Sequence, residues 1–181
     1  MAVLRPTPGS FTNSSKNRDQ LFAYLDKLLL DDRFEVTLRP HPNEEIAWYQ
    51  KKISMFNRDQ RSRLTLDTES NITSLILDCD IEVSMDSCTT ALESWIAGKP
   101  TVDLHLDRHP LLSNPELDSL NQRCSDPNSI TDLLIRELQK PSQEEFSQLR
   151  KQHLEKWCNS PSGNSSEMVA IAIEKCLKNS T

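Results

Sequence analysis

Short β-type runs alternate with amphipathic helical segments along the chain, and this alternation limits the fold more than any other feature of the sequence. The clearest unit runs from a strand-like segment at residues 80–84, through a helical segment at 89–97, to a second strand-like segment at 101–104. Gly98 and Pro100 separate the helix from the second strand, as expected at a helix C-terminus. Alternation of this kind predicts a parallel sheet with helices on both faces.

The rest of the chain follows the same order. Further strands are predicted at residues 3–4, 34–38 and 63–66, with an edge strand near 120–124. Helices are predicted from Ser14 to Leu29 and at about 44–56, 71–77, 129–139, 142–158 and 165–177. A chain of 181 residues has room for one such domain. We therefore predict a Rossmann-like, doubly wound α/β domain over residues 1–140, with C-terminal helices at 141–181 packing on the same domain.

Composition excludes several classes of protein. The formal net charge of −6 argues against nucleic acid as a partner, because binding a phosphate backbone takes a clustered excess of Lys and Arg. No segment approaches the about 20 apolar residues that span a bilayer, and the first residues lack the apolar core of a signal peptide. We expect a cytoplasmic protein. The three glycines, Gly9, Gly98 and Gly163, cannot form the glycine-rich turn of a dinucleotide-binding domain.

A histidine between two prolines follows the second predicted strand, in the segment Arg39-Pro40-His41-Pro42-Asn43-Glu44. The prolines restrict the backbone on both sides of His41, so the imidazole is aimed in one direction. An aimed histidine suits acid/base work or a phosphate contact, and ligands bind at the ends of parallel strands. The alternative is a loop histidine with no more than a structural role, and the two readings carry equal weight. Asn43 is predicted to cap the helix that follows.

A run of small hydroxyl residues connects the fourth predicted strand to the next helix. Backbone N–H groups of a first helical turn, together with the hydroxyls of Ser87, Thr89 and Thr90, form a cradle for phosphate. Glu93 falls almost two turns further along, where its carboxylate can accept hydrogen bonds from ribose hydroxyls. The alternative is an ordinary helix cap at Asp86 or Ser87, with Glu93 on a solvated face.

Taken together, these segments carry a family resemblance. Arg-Pro-His-Pro-Asn-Glu at 39–44, Asp-Cys-Asp at 78–80 and Asp-Ser-Cys-Thr-Thr-Ala-Leu-Glu-Ser-Trp-Ile-Ala-Gly-Lys-Pro-Thr-Val at 86–102 occur in this order. The arrangement resembles the C-terminal, donor-binding domain of GT-B glycosyltransferases of the bacterial capsule and surface-carbohydrate type. Polysialyltransferases and glycerophosphotransferases of this type have an HP motif and a Ser/Thr motif, and the similar nucleotide-sugar 2-epimerases share the layout. The specific part of the resemblance covers residues 37–104.

The resemblance implies roles for particular residues. His41 would lie against the donor phosphate as the catalytic group, and Ser87, Thr89 and Thr90 would bind that phosphate. Glu93 would bind the ribose. We add Arg39, Asn43 and Asp86, which adjoin the two motifs, to the expected substrate-binding set. The donor would be a CMP-, UDP- or CDP-linked sugar or phosphosugar used in capsule or lipopolysaccharide synthesis, and the resemblance implies no cofactor.

The resemblance also implies a partner. GT-B enzymes carry acceptor-binding residues on an N-terminal domain, so we expect this chain alone to bind donor without transferring sugar, and to act with a separate N-terminal domain or subunit, peripherally at the inner membrane. Two alternatives stay open: half of an epimerase-like isomerase, or a non-catalytic remnant or subunit of a split enzyme. His105 and His109 are four residues apart, but no helical periodicity gives them a common face, so we predict a cleft-lining loop and no metal site.

Overall fold

The computed structural model describes residues 2–5, 14–85, 89–106, 115–140, 143–158 and 163–178. The chain divides into two compact units, Met1–Gln143 and Glu144–Thr181. The first unit contains the whole sheet, and the second consists mainly of two helices, α8 (Gln143–Trp157) and α9 (Ser165–Lys178). The packing of residues 141–181 on the first domain stays a prediction. Among the described residues, no helix is both long enough and apolar enough to cross a membrane.

Six parallel strands form one sheet in the order β3-β2-β1-β4-β5-β6. The strands are β1 (Ala2–Arg5), β2 (Val36–Leu38), β3 (Leu64–Leu66), β4 (Ile81–Met85), β5 (Thr101–Leu104) and β6 (Gln122–Cys124). Leu4 of β1 pairs with Leu38 on one side and with Val83 on the other. The strand order therefore reverses between β1 and β4, which confirms the predicted Rossmann-like sheet and locates its switch point.

Helices connect these strands much as the sequence predicts. In the first unit they are α1 (Ser14–Leu28), α2 (Ile46–Ile53), α3 (Arg58–Ser62), α4 (Ile72–Asp78), α5 (Thr89–Ile96), α6 (Pro115–Asp118) and α7 (Ile130–Gln139). A short 3-10 helix, Pro127–Ser129, precedes α7.

One predicted helix is wrong in its bounds. The segment 44–56 contains only α2, whose N-cap is Glu45, so Asn43 does not cap it. A second helix, α3, begins after Asn57, because the Asn57 side chain accepts a hydrogen bond from the Gln60 N–H and the Gln60 side chain accepts one from the Asn57 N–H. This reciprocal capping box starts a new helix where the prediction had the first one ending.

The two faces of the sheet differ in character. Side chains alternate along β4, so Ile81, Val83 and Met85 join the main hydrophobic core, to which α1 and α7 also contribute. Glu82 and Ser84 face the opposite side and are also fully buried. That side is covered by α4 and α5, which contact each other. Helices on both faces confirm the doubly wound arrangement.

Long basic side chains close the edge of the sheet at which the strands begin. Arg63 donates to the carbonyl oxygens of Leu29, Asp31 and Phe34 at 2.6, 2.7 and 2.9 Å. Lys99 donates to the carbonyls of Leu77 and Cys79 at 2.7 and 2.8 Å, at the end of α4. Carbonyls at helix ends lack intrahelical partners, so these contacts satisfy them. Both side chains are thereby committed to structure at this edge.

Candidate functional site

The described residues of the predicted site lie at the other edge of the sheet, where the strands end. We call this the carboxyl edge and define it by Leu38, Leu66, Met85 and Leu104, the last residues of β2 to β5. The His41 loop leaves it from β2, and α5, which carries Glu93, follows β4. Because β2 and β4 flank β1, their ends are about 10 Å apart. The two predicted motifs therefore lie on either side of the switch point.

His41 lies in a turn closed by its neighbours. The Glu44 N–H donates to the His41 carbonyl oxygen at 2.8 Å, and the Asn43 N–H donates to Nδ1 of the imidazole at 3.2 Å. A ring nitrogen that accepts a hydrogen bond carries no proton, so the neutral ring has its proton on Nε2. His41 therefore presents an N–H donor from a partly exposed ring. Asn43 contributes through its backbone.

Arg39 forms an ion pair with Asp67, which follows β3, with 3.2 Å between Nη1 and Oδ1. Asp67 also accepts hydrogen bonds from the Ser70 hydroxyl at 2.6 Å, the Ser70 N–H at 2.9 Å and the Glu69 N–H at 3.2 Å. The Ser70 hydroxyl is the main reason that the pKa of Asp67 is lowered, and Arg39 adds to the effect. The charge of Arg39 is thus balanced by an ionised carboxylate within the protein.

The α5 residues differ in what they expose. Thr89 is exposed at the first position of the helix, whereas Thr90 is fully buried, so the Thr90 hydroxyl faces inward. Glu93 is partly exposed. Asp86 and Ser87 lie outside the described residues. Of the α5 side chains predicted to bind substrate, Thr89 and Glu93 are therefore the accessible pair.

Glu93 is joined to the start of α4. The Thr73 hydroxyl donates to Glu93 Oε2 at 3.2 Å, and the Asn71 side chain caps α4 by accepting the Thr73 N–H at 2.8 Å. This contact fixes the Glu93 carboxylate at the carboxyl edge, beside the loop after β3. Thr73 is not among the site residues predicted from the sequence. An Asn two residues before a Thr, after a strand end, is the signal that could have identified it.

A second histidine is held at the carboxyl edge by an arginine. Arg123 Nη2 lies 2.7 Å from His105 Nδ1, and Arg123 also approaches Asp103 at 3.6 Å and Asp118 at 3.7 Å. Asp103 is fully buried. The arginine is a permanent cation, so His105 Nδ1 is the acceptor. Across the described ranges, no three His, Cys, Asp or Glu residues gather in a way that could hold a metal ion.

Comparison with known proteins identifies the fold. No family model and no curated protein matches the sequence. The solved structure of Os79 from O. sativa, in complex with UDP and deoxynivalenol-3-glucoside, superposes with a TM-score of 0.58 at 13% identity, covering 96% of this chain and 42% of that one. The kitacinnamycin glycosyltransferase superposes with a TM-score of 0.55 at 11% identity, covering 83% of this chain and 38% of that one. The GtfA/B complex superposes with a TM-score of 0.52 at 12% identity, covering 96% of this chain and 35% of that one.

These neighbours are GT-B glycosyltransferases, and the chain spans less than half the length of each. Sequence identity at this level shows the fold alone. The chain therefore has the fold of one Rossmann-like half of a GT-B glycosyltransferase.

Proposed function

We propose that this chain is the donor-binding half of a glycosyltransferase, which transfers a sugar or phosphosugar from a CMP-, UDP- or CDP-linked donor in capsule or lipopolysaccharide synthesis. The observation that carries the proposal is that the segments with His41 and Glu93 follow β2 and β4, the two strands that flank β1 at the switch point. The ends of β2 and β4 are about 10 Å apart, and the segments that leave them carry an N–H donor on His41 and a carboxylate acceptor on Glu93. Ligands of open α/β sheets bind in such a crevice.

A nucleotide would span this crevice with its charged and neutral parts in complementary surroundings. Glu93, oriented by Thr73, would accept hydrogen bonds from the two ribose hydroxyls. The first-turn N–H groups of α5, with the hydroxyls of Ser87 and Thr89, would hold the phosphate, and Asp86 would contact another part of the donor. Because the Thr90 side chain is buried, Thr90 would contribute its backbone N–H alone. Os79 is a neighbour with UDP in its structure, in keeping with this assignment.

His41 would act on the leaving group. As the glycosyl bond breaks, negative charge develops on the phosphate, and a fixed donor at that position stabilises it more in the transition state than in the ground state. The Nε2–H of His41 is such a donor, because Nδ1 is occupied by the Asn43 N–H. Arg39, paired with Asp67, would mainly order the loops after β2 and β3 and would make only a minor contact with the donor.

The described residues of the site are all assigned to the donor, so the acceptor hydroxyl needs a base from elsewhere. Each structural neighbour is more than twice as long as the region that this chain matches. We infer that the base and the acceptor site belong to a separate N-terminal domain or subunit. The chain alone would then bind donor nucleotide without turnover.

Thermal unfolding with CMP, UDP and CDP at millimolar concentration tests the proposal, because a ligand that binds only the folded state raises the melting temperature. We expect one nucleotide to raise the melting temperature by a few degrees, and Glu93→Gln and His41→Asn each to remove most of that shift. Glu69→Gln is the matched control, since it removes one exposed carboxylate from the same edge and should keep the shift.

The outcomes separate the readings. A melting-temperature shift that is lost in Glu93→Gln and kept in Glu69→Gln supports the donor site. The nucleotide that gives the largest shift identifies the nucleobase of the donor. The absence of any shift with all three nucleotides contradicts it.

A further inference from the structure

Arg18, on the second turn of α1, contacts the loop that carries His41. Its Nη1 lies 3.4 Å from Glu44 Oε2, and the two side chains are 19% and 8% exposed. Glu44 follows Asn43 directly and closes the turn through its N–H bond to the His41 carbonyl. An ion pair between α1 and Glu44 therefore holds the turn in which the imidazole is aimed.

Glu44 has a second partner at the same carboxylate oxygen. The Tyr49 hydroxyl, on α2, donates to Glu44 Oε2 at 3.5 Å. Burial raises the pKa of Tyr49, and the negative charge of Glu44 raises it further, so the hydroxyl keeps its proton and remains a donor. The Glu44 carboxylate is thus fixed between α1 and α2, and it carries the His41 turn with it.

Arg18 is itself held in place by an aromatic cluster. Its guanidinium lies 4.8 Å from the centre of the Trp48 ring, and Trp48 packs edge-on against Phe22 at 5.3 Å. Phe22 belongs to the main core. The path from the core to His41 therefore runs through Trp48, Arg18 and Glu44.

We propose that Arg18 is a positioning residue for His41. Through Glu44 it fixes the turn in which the Asn43 N–H reaches Nδ1, and this keeps the proton of the neutral ring on Nε2. Without the ion pair between Arg18 and Glu44 the turn is free to open, so Nδ1 loses its hydrogen-bond donor. The ring then takes both tautomers. What Nε2–H binds rests on the proposed function, whereas the tautomer itself does not.

Lys52 offers a matched control within the same cluster. Its Nζ lies 5.4 Å from the centre of the same Trp48 ring, but it pairs with Asp19 at 2.7 Å instead of with Glu44. Removing either cation therefore takes one cation–π contact from Trp48. Only the removal of Arg18 also takes the ion pair from Glu44.

Nitrogen NMR of the imidazole rings in the full chain at alkaline pH reports the tautomer directly, since protonated and unprotonated ring nitrogens have separate chemical shifts. The chain has four histidines, and the signal of His41 is assigned by its loss in His41→Asn. We expect a pure Nε2–H tautomer in the wild type, in Lys52→Gln and in Arg18→Lys, which restores the charge. Arg18→Gln should give averaged shifts, and about 3- to 10-fold weaker nucleotide binding.

A pure Nε2–H tautomer in folded Arg18→Gln would overturn the positioning role. If Arg18→Gln shows no cooperative unfolding, Glu44→Gln breaks the same ion pair from its other side and must give the averaged shifts instead. Averaged shifts with unchanged nucleotide affinity would support the positioning role and contradict the contact between His41 and phosphate. The two proposals can thus fail separately.

Discussion

The two faces of the sheet bury similar strand positions with opposite chemistry. On the face covered by α1 and α7, β4 and β5 contribute Val83, Val102 and Leu104 to a continuous aliphatic core. On the face covered by α4 and α5, the same strands bury Glu82 and Asp103, which are both fully inaccessible. Burial of an aliphatic side chain stabilises the folded state, whereas burial of a carboxylate has a free-energy cost. The aliphatic face thus stabilises the fold, and the buried carboxylates of the polar face offset part of that stabilisation.

The hydrogen bonds of the polar face hold α5 in a fixed orientation. Small residues of α5, Thr90, Ala91 and Ser94, are buried against it, and Trp95 donates to Thr101 of β5 at 3.0 Å and to Asn121 at 3.1 Å. Directional hydrogen bonds fix the rotation of a helix more closely than aliphatic contacts do. The helix so fixed is the one that carries Glu93 into the candidate site. Residues of the aliphatic face therefore stabilise the domain, whereas residues of the polar face orient its site.

The largest expected effect is on the aliphatic face. Leu134→Ala removes a fully buried side chain of α7 and leaves a cavity, so the free energy of unfolding should fall by about 2–5 kcal/mol. Urea unfolding measures it, and nucleotide affinity of the folded fraction should not change. A loss below about 0.5 kcal/mol, the usual size for surface substitutions, would contradict the role of this face.

A smaller effect is expected on the polar face. Asp103→Asn removes a buried carboxylate from Arg123, which keeps Asp118, so we expect a loss of about 2 kcal/mol. Asp118→Asn is the control, because its carboxylate is partly exposed and should cost less. Equal losses in the two variants, measured by urea unfolding, would remove the distinction between buried and exposed partners of Arg123.

The smallest effect is expected at the carboxyl edge, and it depends on pH. The folded-state pKa of Asp67 is lowered, so its contribution to stability is present above its unfolded pKa of about 3.9 and is lost as the pH falls through the folded value. Asp67→Asn should therefore be about 1 kcal/mol less stable than the wild type at pH 7, with the difference vanishing on acidification below about pH 4. A difference that grows in acid would contradict the assignment.

The sheet and most helices follow from sequence because they depend on local periodicity. The strand at 101–104 and the helix start at Thr89 are where the pattern predicts them. The helix predicted at about 44–56 is wrong in its bounds because the chain turns at residues 54–56 and the capping box of Asn57 and Gln60, a signal readable three residues apart, then starts a new helix.

The contacts of the site could not be read in this way. Arg39 and Asp67 are 28 residues apart, and Thr73 and Glu93 are 20 apart, so each pair depends on which strands are neighbours. Strand order is a property of the whole sheet. The alternation Ile-Glu-Val-Ser-Met in β4 is also typical of a strand with one exposed face, whereas the structure buries all five residues.

Mapping of the backbone amide NMR shifts during titration with the preferred nucleotide locates the bound nucleotide on the sheet and so tests the donor site itself. We expect shifts that cluster at the carboxyl edge, in the amides of residues 39, 41, 43, 44, 71–73 and 89–93, with Arg63 and Lys99 at the opposite edge unchanged. Shifts that cluster instead around Phe34, Ile81 and Ile135, which line a cavity of about 240 Å³ where the strands begin, would contradict it.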